Sequence, residues 1–240
     1  MIRVAHLAAV LALLCSQEAR GQAACRQALA LGIDVSGSVD LREYRLQLDG
    51  LVAALNDEMV VRKIMAMPEA PISLLIYEWS GPEDQKILVP WTTVLNRSVL
   101  KDISEALATT ERRAATPGTA LGIAMSLGAE FLDEQAHCWK RTLDISGDGK
   151  SNFGPPPRNL KTGIGARGIT INALVVGADA PVGADRRQAD IAELSSYFRT
   201  EVIVGQDAFV QTALGYEAYA EAMTRKLRRE LEGLVLGALQ

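Results

Sequence analysis

The chain has 240 residues, 48% of them hydrophobic and 22% charged, which allows one substantial core and one domain of ordinary size. A net charge of −4, with no lysine- or arginine-rich run, argues against a nucleic-acid or anionic-membrane surface. The N-terminus reads as a secretory signal over residues 1–24. Arg3 supplies the positive charge, and Val4–Leu14 is a largely apolar core too short to span a bilayer. Cleavage after Ala23 or Ala24 gives a mature domain of residues 25–240 and a periplasmic or secreted location; the competing reading is a buried N-terminal helix. Processing leaves Cys25 and Cys138 of three cysteines, in a compartment where disulfides persist, and His137 of two histidines. That set is too small for the usual zinc sites, and nothing around His137 suggests a serine hydrolase.

Leu29–Ile33 is a short apolar run that fits a strand buried on both faces. It breaks into Asp34-Val35-Ser36-Gly37-Ser38, and Asp40 with Glu43 forms a capping-box pattern that opens a helix. Leu41, Tyr44, Leu48, Leu51, Val52 and Leu55 mark the apolar stripe of that helix. Ile72–Trp79 reads as a second strand, and the Ser80-Gly81-Pro82 turn makes Lys86–Trp91 a third, antiparallel one. Ser98–Thr109 is a helix with Ile103 and Leu107 inward; Ala120–Gln135, after Pro117-Gly118-Thr119, is a helix small enough to pack closely on a sheet. Trp139–Ser146 is a strand ending in Gly147-Asp148-Gly149, followed by a proline-rich loop and a short helix over Arg158–Arg167. Ile169–Val176 is a buried strand, Arg186–Tyr197 a helix, and Val202–Val204 a last short strand. Tyr216, Tyr219, Met223, Leu227, Leu231 and Leu234 mark a closing helix, with Lys226, Arg228 and Arg229 complementing its C-terminal dipole. Alternating strands and helices without a linker or repeat predict an α/β domain, a doubly wound, mostly parallel six-stranded sheet with helices on both faces and one antiparallel edge strand.

Asp34, Ser36, Ser38, Thr119 and Asp148 each follow a strand or open a helix at what should be the same edge of that sheet, where ligands gather in doubly wound folds. Two carboxylates and three hydroxyls make an oxygen-only site suited to a hard cation. Taken alone, D-x-S-x-S is also an ordinary structural loop. The order D-x-S-x-S, Gly-Thr opening a helix, then Asp-Gly ending a strand resembles the von Willebrand factor A domain and its metal-ion-dependent adhesion site (MIDAS), over Cys25 to about Gly233. The phrases DVSGSVD, EYRLQLDG, YEWSGPEDQ, VPWT, DISGDGKSN, GITINAL and DAFVQTA are similar to a bacterial exported branch of that superfamily labelled as a domain of unknown function.

The resemblance implies that Ser36 and Ser38 bind Mg²⁺ or Mn²⁺ directly, with Asp34 and Asp148 acting directly or through water and Thr119 moving between the two modes. Gly147 stands where many family members carry threonine, a position that is not a ligand. Glu78, Trp79 and Ser80, then Lys150, Asn152 and Phe153, are expected on the rim; the plainer readings are sheet-edge packing for Trp79 and Phe153 and solvation for Lys150. The implied function is a binding module in which a partner protein's Asp or Glu carboxylate completes the metal's octahedron. The alternative is an Mg²⁺-dependent phosphohydrolase of haloacid dehalogenase type, for which Gly147–Asn152 resembles the last acidic motif. That chemistry needs an aspartate two residues after its nucleophile, and position 36 is serine. If Asp34 and Asp148 top neighbouring parallel strands, as the implied fold has it, Cys25 and Cys138 lie together at the bottom and are expected to form a disulfide; otherwise they are two unrelated buried thiols.

Overall fold

The structure, a computed structural model, describes residues 24–177 and 184–232. The expected signal segment lies outside them except for Ala24, as does Leu234 of the closing helix. In chain order the elements are β1 (Gln27–Asp34), α1 (Leu41–Leu55), α2 (Glu58–Ile64), β2 (Ile72–Trp79), β3 (Gln85–Thr93), α3 (Arg97–Ala108), α4 (Leu121–Asp133), β4 (Lys140–Gly147), α5 (Pro157–Ala166), β5 (Ile169–Val176), α6 (Ala184–Tyr197), β6 (Val210–Ala213) and α7 (Tyr219–Glu230). They build one six-stranded sheet in the order β3-β2-β1-β4-β5-β6. Every neighbouring pair is parallel except β2 with β3, so the antiparallel strand is an edge strand as expected.

β1 and β2 are buried along all eight of their residues, which is why they read as continuous apolar runs rather than alternating ones. Leu29, Leu31 and Ile33 of β1 join the core with α1, α2, α3 and α7. Ala28 and Ala30 point the other way, into the core with α4, α5 and α6. Side chains on that second face are small because α4 packs close: a Cβ at Gly32 would lie 2.7 Å from the Tyr77 hydroxyl. That hydroxyl donates to the Ala124 carbonyl of α4 at 2.8 Å.

Several details depart from the sequence expectation. α2 was not foreseen; Asp57 caps it by accepting from the backbone N–H groups of Met59 and Val60 at 3.1 Å each. Leu41 is 71% exposed, because the first residue of α1 precedes the turn at which Tyr44 and Leu48 meet the core. The last strand is Val210–Ala213 and not Val202–Val204. Val202 ends a π-helical turn and Val204 makes one isolated antiparallel bridge to Ile171. Val202 is apolar because it is fully buried beneath the sheet, whereas β6 is an edge strand whose Gln211 and Thr212 are half-exposed.

Cys25 and Cys138 are disulfide-bonded, with 4.5 Å between their Cα atoms. Their separation of 113 residues is also the register offset between β1 and β4, where Gln27 faces Lys140. The bridge therefore closes the amino ends of two strands already in register.

Candidate metal centre

The same offset, carried to the carboxyl ends of β1 and β4, sets Asp34 beside Gly147 and Asp148. Asp34 is fully buried. Its Oδ1 accepts from the Ser36 backbone N–H at 2.8 Å, while Oδ2 is buried with no hydrogen-bond partner. A Cβ on Gly147 would lie 3.4 Å from that free oxygen and 3.2 Å from the Phe198 ring, so Phe198 fills the room a larger residue at position 147 would use. The Gln47 side-chain amide donates to the Asp34 carbonyl at 3.0 Å, fixing the end of β1 against α1.

The two serine hydroxyls lead from Ser36 through Ser38 to Asp148. Ser36 Oγ and Ser38 Oγ are 3.2 Å apart, and Ser38 Oγ donates to Asp148 Oδ1 at 2.7 Å. Thr119, 6% exposed, stands on the adjoining loop. That loop touches the first: the Gly37 N–H donates to the Pro117 carbonyl at 3.1 Å, and a Cβ on Gly37 would come within 2.6 Å of Pro117 Cβ. Asn152 pins Thr119 from the third loop, its Oδ1 accepting from the Thr119 N–H at 2.8 Å and its own N–H donating to the Thr119 carbonyl at 3.0 Å. Three loops from separate parts of the chain thus meet through backbone contacts, and the five residues sit at one edge.

Electrostatically the site is strained in one direction. Burial, then the neighbouring Asp148 charge, pushes the Asp34 carboxyl up to about 8. Burial also raises Asp148, against the hydrogen bonds from Ser38 and Tyr216 that favour its ionised form. Among the described residues no lysine or arginine pairs with either carboxylate. Arg112 is the nearby cation, and it donates to the backbone carbonyls of Val35 and Ser36 at 3.4 and 3.3 Å. An unpaired buried oxygen, a second carboxylate and hydroxyl donors with no sulfur or imidazole fit a hard divalent cation. By contrast, the sulfurs of the Cys25–His137–Cys138 group are bonded to each other.

The expected rim divides. Lys150 and Phe153 are exposed, with Lys150 Nζ 2.5 Å from Glu193 and Phe153 standing over Gly118, where a Cβ would meet its ring at 2.6 Å. Asn152 is exposed as well as structural. Glu78, Trp79 and Ser80 are not on the rim: all three are 1% exposed or less. β2 is covered on both faces, so the end of this strand lies under loops rather than at the surface. Glu78 accepts from Tyr44 and from Arg113, each at 3.0 Å, and Arg113 reaches on to Asp84 at 3.1 Å, tying down the loop that leads to Thr119. The Ser80 carbonyl accepts from the Ala120 N–H at 2.8 Å, beside Thr119. Sequence reasoning missed Tyr216, whose hydroxyl donates to Asp148 Oδ2 at 3.0 Å. Its place on the apolar stripe of the closing helix gave no sign of a polar role.

The strand order, the two-sided cover of helices and three loops meeting at the carboxyl edge define a von Willebrand factor A fold. Solved structures of low sequence identity share it. The zinc-occupied form of proximal thread matrix protein 1 from the mussel byssus, with zinc in a MIDAS motif, superposes with a TM-score of 0.54 at 17% identity, covering 89% of this chain and 49% of that one. The pilus adhesin SpaC from Lactobacillus rhamnosus GG gives 0.59 at 12% identity, over 89% of this chain and 31% of that one. A von Willebrand factor type A protein from Catenulispora acidiphila gives 0.52 at 12%, over 88% and 43%. This chain therefore spans half or less of the length of each. The family model described as "Protein of unknown function (DUF1194)" matches residues 24–235, and the chain belongs to that family. No curated protein matches the sequence. No helix among the described residues is long and apolar enough to cross a membrane.

Proposed function

We propose that the protein is an exported, metal-dependent protein-binding module. Ser36, Ser38 and Thr119 would hold Mg²⁺ or Mn²⁺ through their hydroxyls, and Asp34 and Asp148 would supply the negative charge directly or through water. The observation that carries this reading is the buried Oδ2 of Asp34, which has no hydrogen-bond partner, beside a second carboxylate, with no lysine or arginine among the described residues paired to either. The metal supplies an open coordination position, which an acidic side chain of a partner protein would take; affinity comes from that contact and from complementarity around it. Zinc in the MIDAS motif of the mussel protein supports an ion at this edge, while an all-oxygen donor set favours the harder Mg²⁺ or Mn²⁺. A phosphohydrolase reading lacks its general acid, since Ser36 offers none and its hydroxyl is engaged with Ser38.

Calorimetric titration of the chelator-treated protein tests the reading. We expect one divalent site in the wild type and none in Asp34→Ala, with that variant still folded. At a free ion concentration of roughly 100 Kd, bound metal should add about 2.7 kcal/mol of stability to the wild type. Equal binding by Asp34→Ala would remove the assignment.

A further inference from the structure

We propose that Tyr216 is a positioning residue of the metal site, its phenol fixing the orientation from which Asp148 serves the ion. The proposal rests on the metal reading above. Asp148 has two oxygens, and each is engaged by a different element. Oδ1 accepts from Ser38 Oγ at 2.7 Å, and Oδ2 accepts from the Tyr216 hydroxyl at 3.0 Å. Tyr216 is 2% exposed and opens the 3₁₀ turn Tyr216–Ala218 that runs into α7, so its ring is fixed by the core on the α7 face of the sheet.

This arrangement limits what Asp148 can do. With Oδ2 occupied by the phenol, the carboxylate turns Oδ1 alone toward the hydroxyl cluster. Ser38 gives its proton to that oxygen and keeps its lone pairs for a cation. Asp148 thus aligns a ligand as well as lending charge, and Tyr216 keeps it from rotating away. Hydrogen-bonding partners that orient metal ligands in this manner are typically worth 10–100-fold in metal affinity. Ser38 is exposed and held by side-chain contacts, so it is the ligand most dependent on such support.

The test compares Mg²⁺ and Mn²⁺ affinities of the chelator-treated wild type, Tyr216→Phe and Tyr219→Phe. Phenylalanine keeps the packed ring and removes only the donor. Tyr216→Phe should bind each ion about 10-fold more weakly, and Tyr219→Phe, an equally buried tyrosine three residues on, should match the wild type. Unchanged affinity in Tyr216→Phe overturns the proposal. So does an equal loss in Tyr219→Phe, which would mean that any disturbance of this turn loosens the site. Absence of binding in the wild type is a different failure, that of the metal reading itself. Should Tyr216→Phe not fold, the wild type with labelled tyrosine rings serves instead. Mn²⁺ should broaden the Tyr216 ring signal ahead of that of Tyr77, and the reverse order would sink the proposal.

Discussion

Among the described residues, two close pairs of carboxylates, one fully buried and one with a buried Asp34 beside a half-buried Asp148, are neutralised differently. In the core between β4 and α7, Asp144 and Glu230 are each 2% exposed and share the fully buried Lys226, whose Nζ is 2.5 Å from Asp144 and 2.6 Å from Glu230. Asn172 completes that cluster, donating to Glu230 at 2.7 Å and accepting from the Phe209 N–H at 3.0 Å. At the carboxyl edge of the sheet, Asp34 and Asp148 are also close together, but no lysine or arginine among the described residues pairs with them. Burying charge without a partner is costly enough that one pair has its cation in the sequence. The other pair, on our reading, takes its cation from solution. An internal ammonium makes a permanent structural joint, while an ion from solvent leaves an open face through which the site can act.

Removing the internal cation should give the largest effect. Lys226→Met leaves two carboxylates in the core, of which Glu230 keeps the Asn172 amide, and should cost about 3–5 kcal/mol in denaturant unfolding. It should leave the metal affinity of any folded protein unchanged. A loss below about 1 kcal/mol would mean that the cluster rearranges freely, and the contrast between the two pairs would fail.

The internal pair should also announce itself in pH dependence. Burial first, then Glu230, raises the Asp144 carboxyl to about 7 despite Lys226. Its folded value lies above its unfolded one, so its contribution is fully present below about pH 4 and is lost as pH rises through about 7. Between those limits the wild type should lose on the order of 2–4 kcal/mol relative to Asp144→Asn. Parallel stability curves for the two proteins would show that Asp144 stays ionised throughout.

Most of the frame was legible because buried parallel strands write continuous apolar runs, as in β1, β2 and β5, and because the five candidate ligands keep a fixed order along the chain. Legibility failed where one residue type serves two environments. Glu78 ends a strand, which in a sequence suggests exposure, yet Tyr44 and Arg113 come from distant elements to bury it. Lys226 looked like a charge complementing a helix end, and it is one of the most buried side chains in the protein. A clue was present: Lys226 and Glu230 fall on the same stripe as Tyr219, Met223 and Leu227, where a solvated charge would not be placed. β6 was missed because half-exposed Gln211 and Thr212 dilute its signal, while apolar Val202 belongs to a π-helical turn.

The smallest effect is expected at Lys150, and it bears directly on why no basic side chain among the described residues pairs with the edge carboxylates. Two residues after Asp148, Lys150 is the basic residue nearest to that carboxylate in the sequence. Its side chain instead turns to Glu193 at 2.5 Å, and both groups are at least half exposed. A charge in water is screened, and an exposed ion pair contributes little to folding. The Lys150 charge is therefore no substitute for one held in the low-dielectric site. Lys150→Ala should leave the thermal midpoint and the Mg²⁺ affinity within error of the wild type. A tenfold gain in Mg²⁺ affinity would show the opposite, that Lys150 repels the ion and already neutralises part of the Asp34–Asp148 pair. The two pairs would then differ in degree rather than in kind.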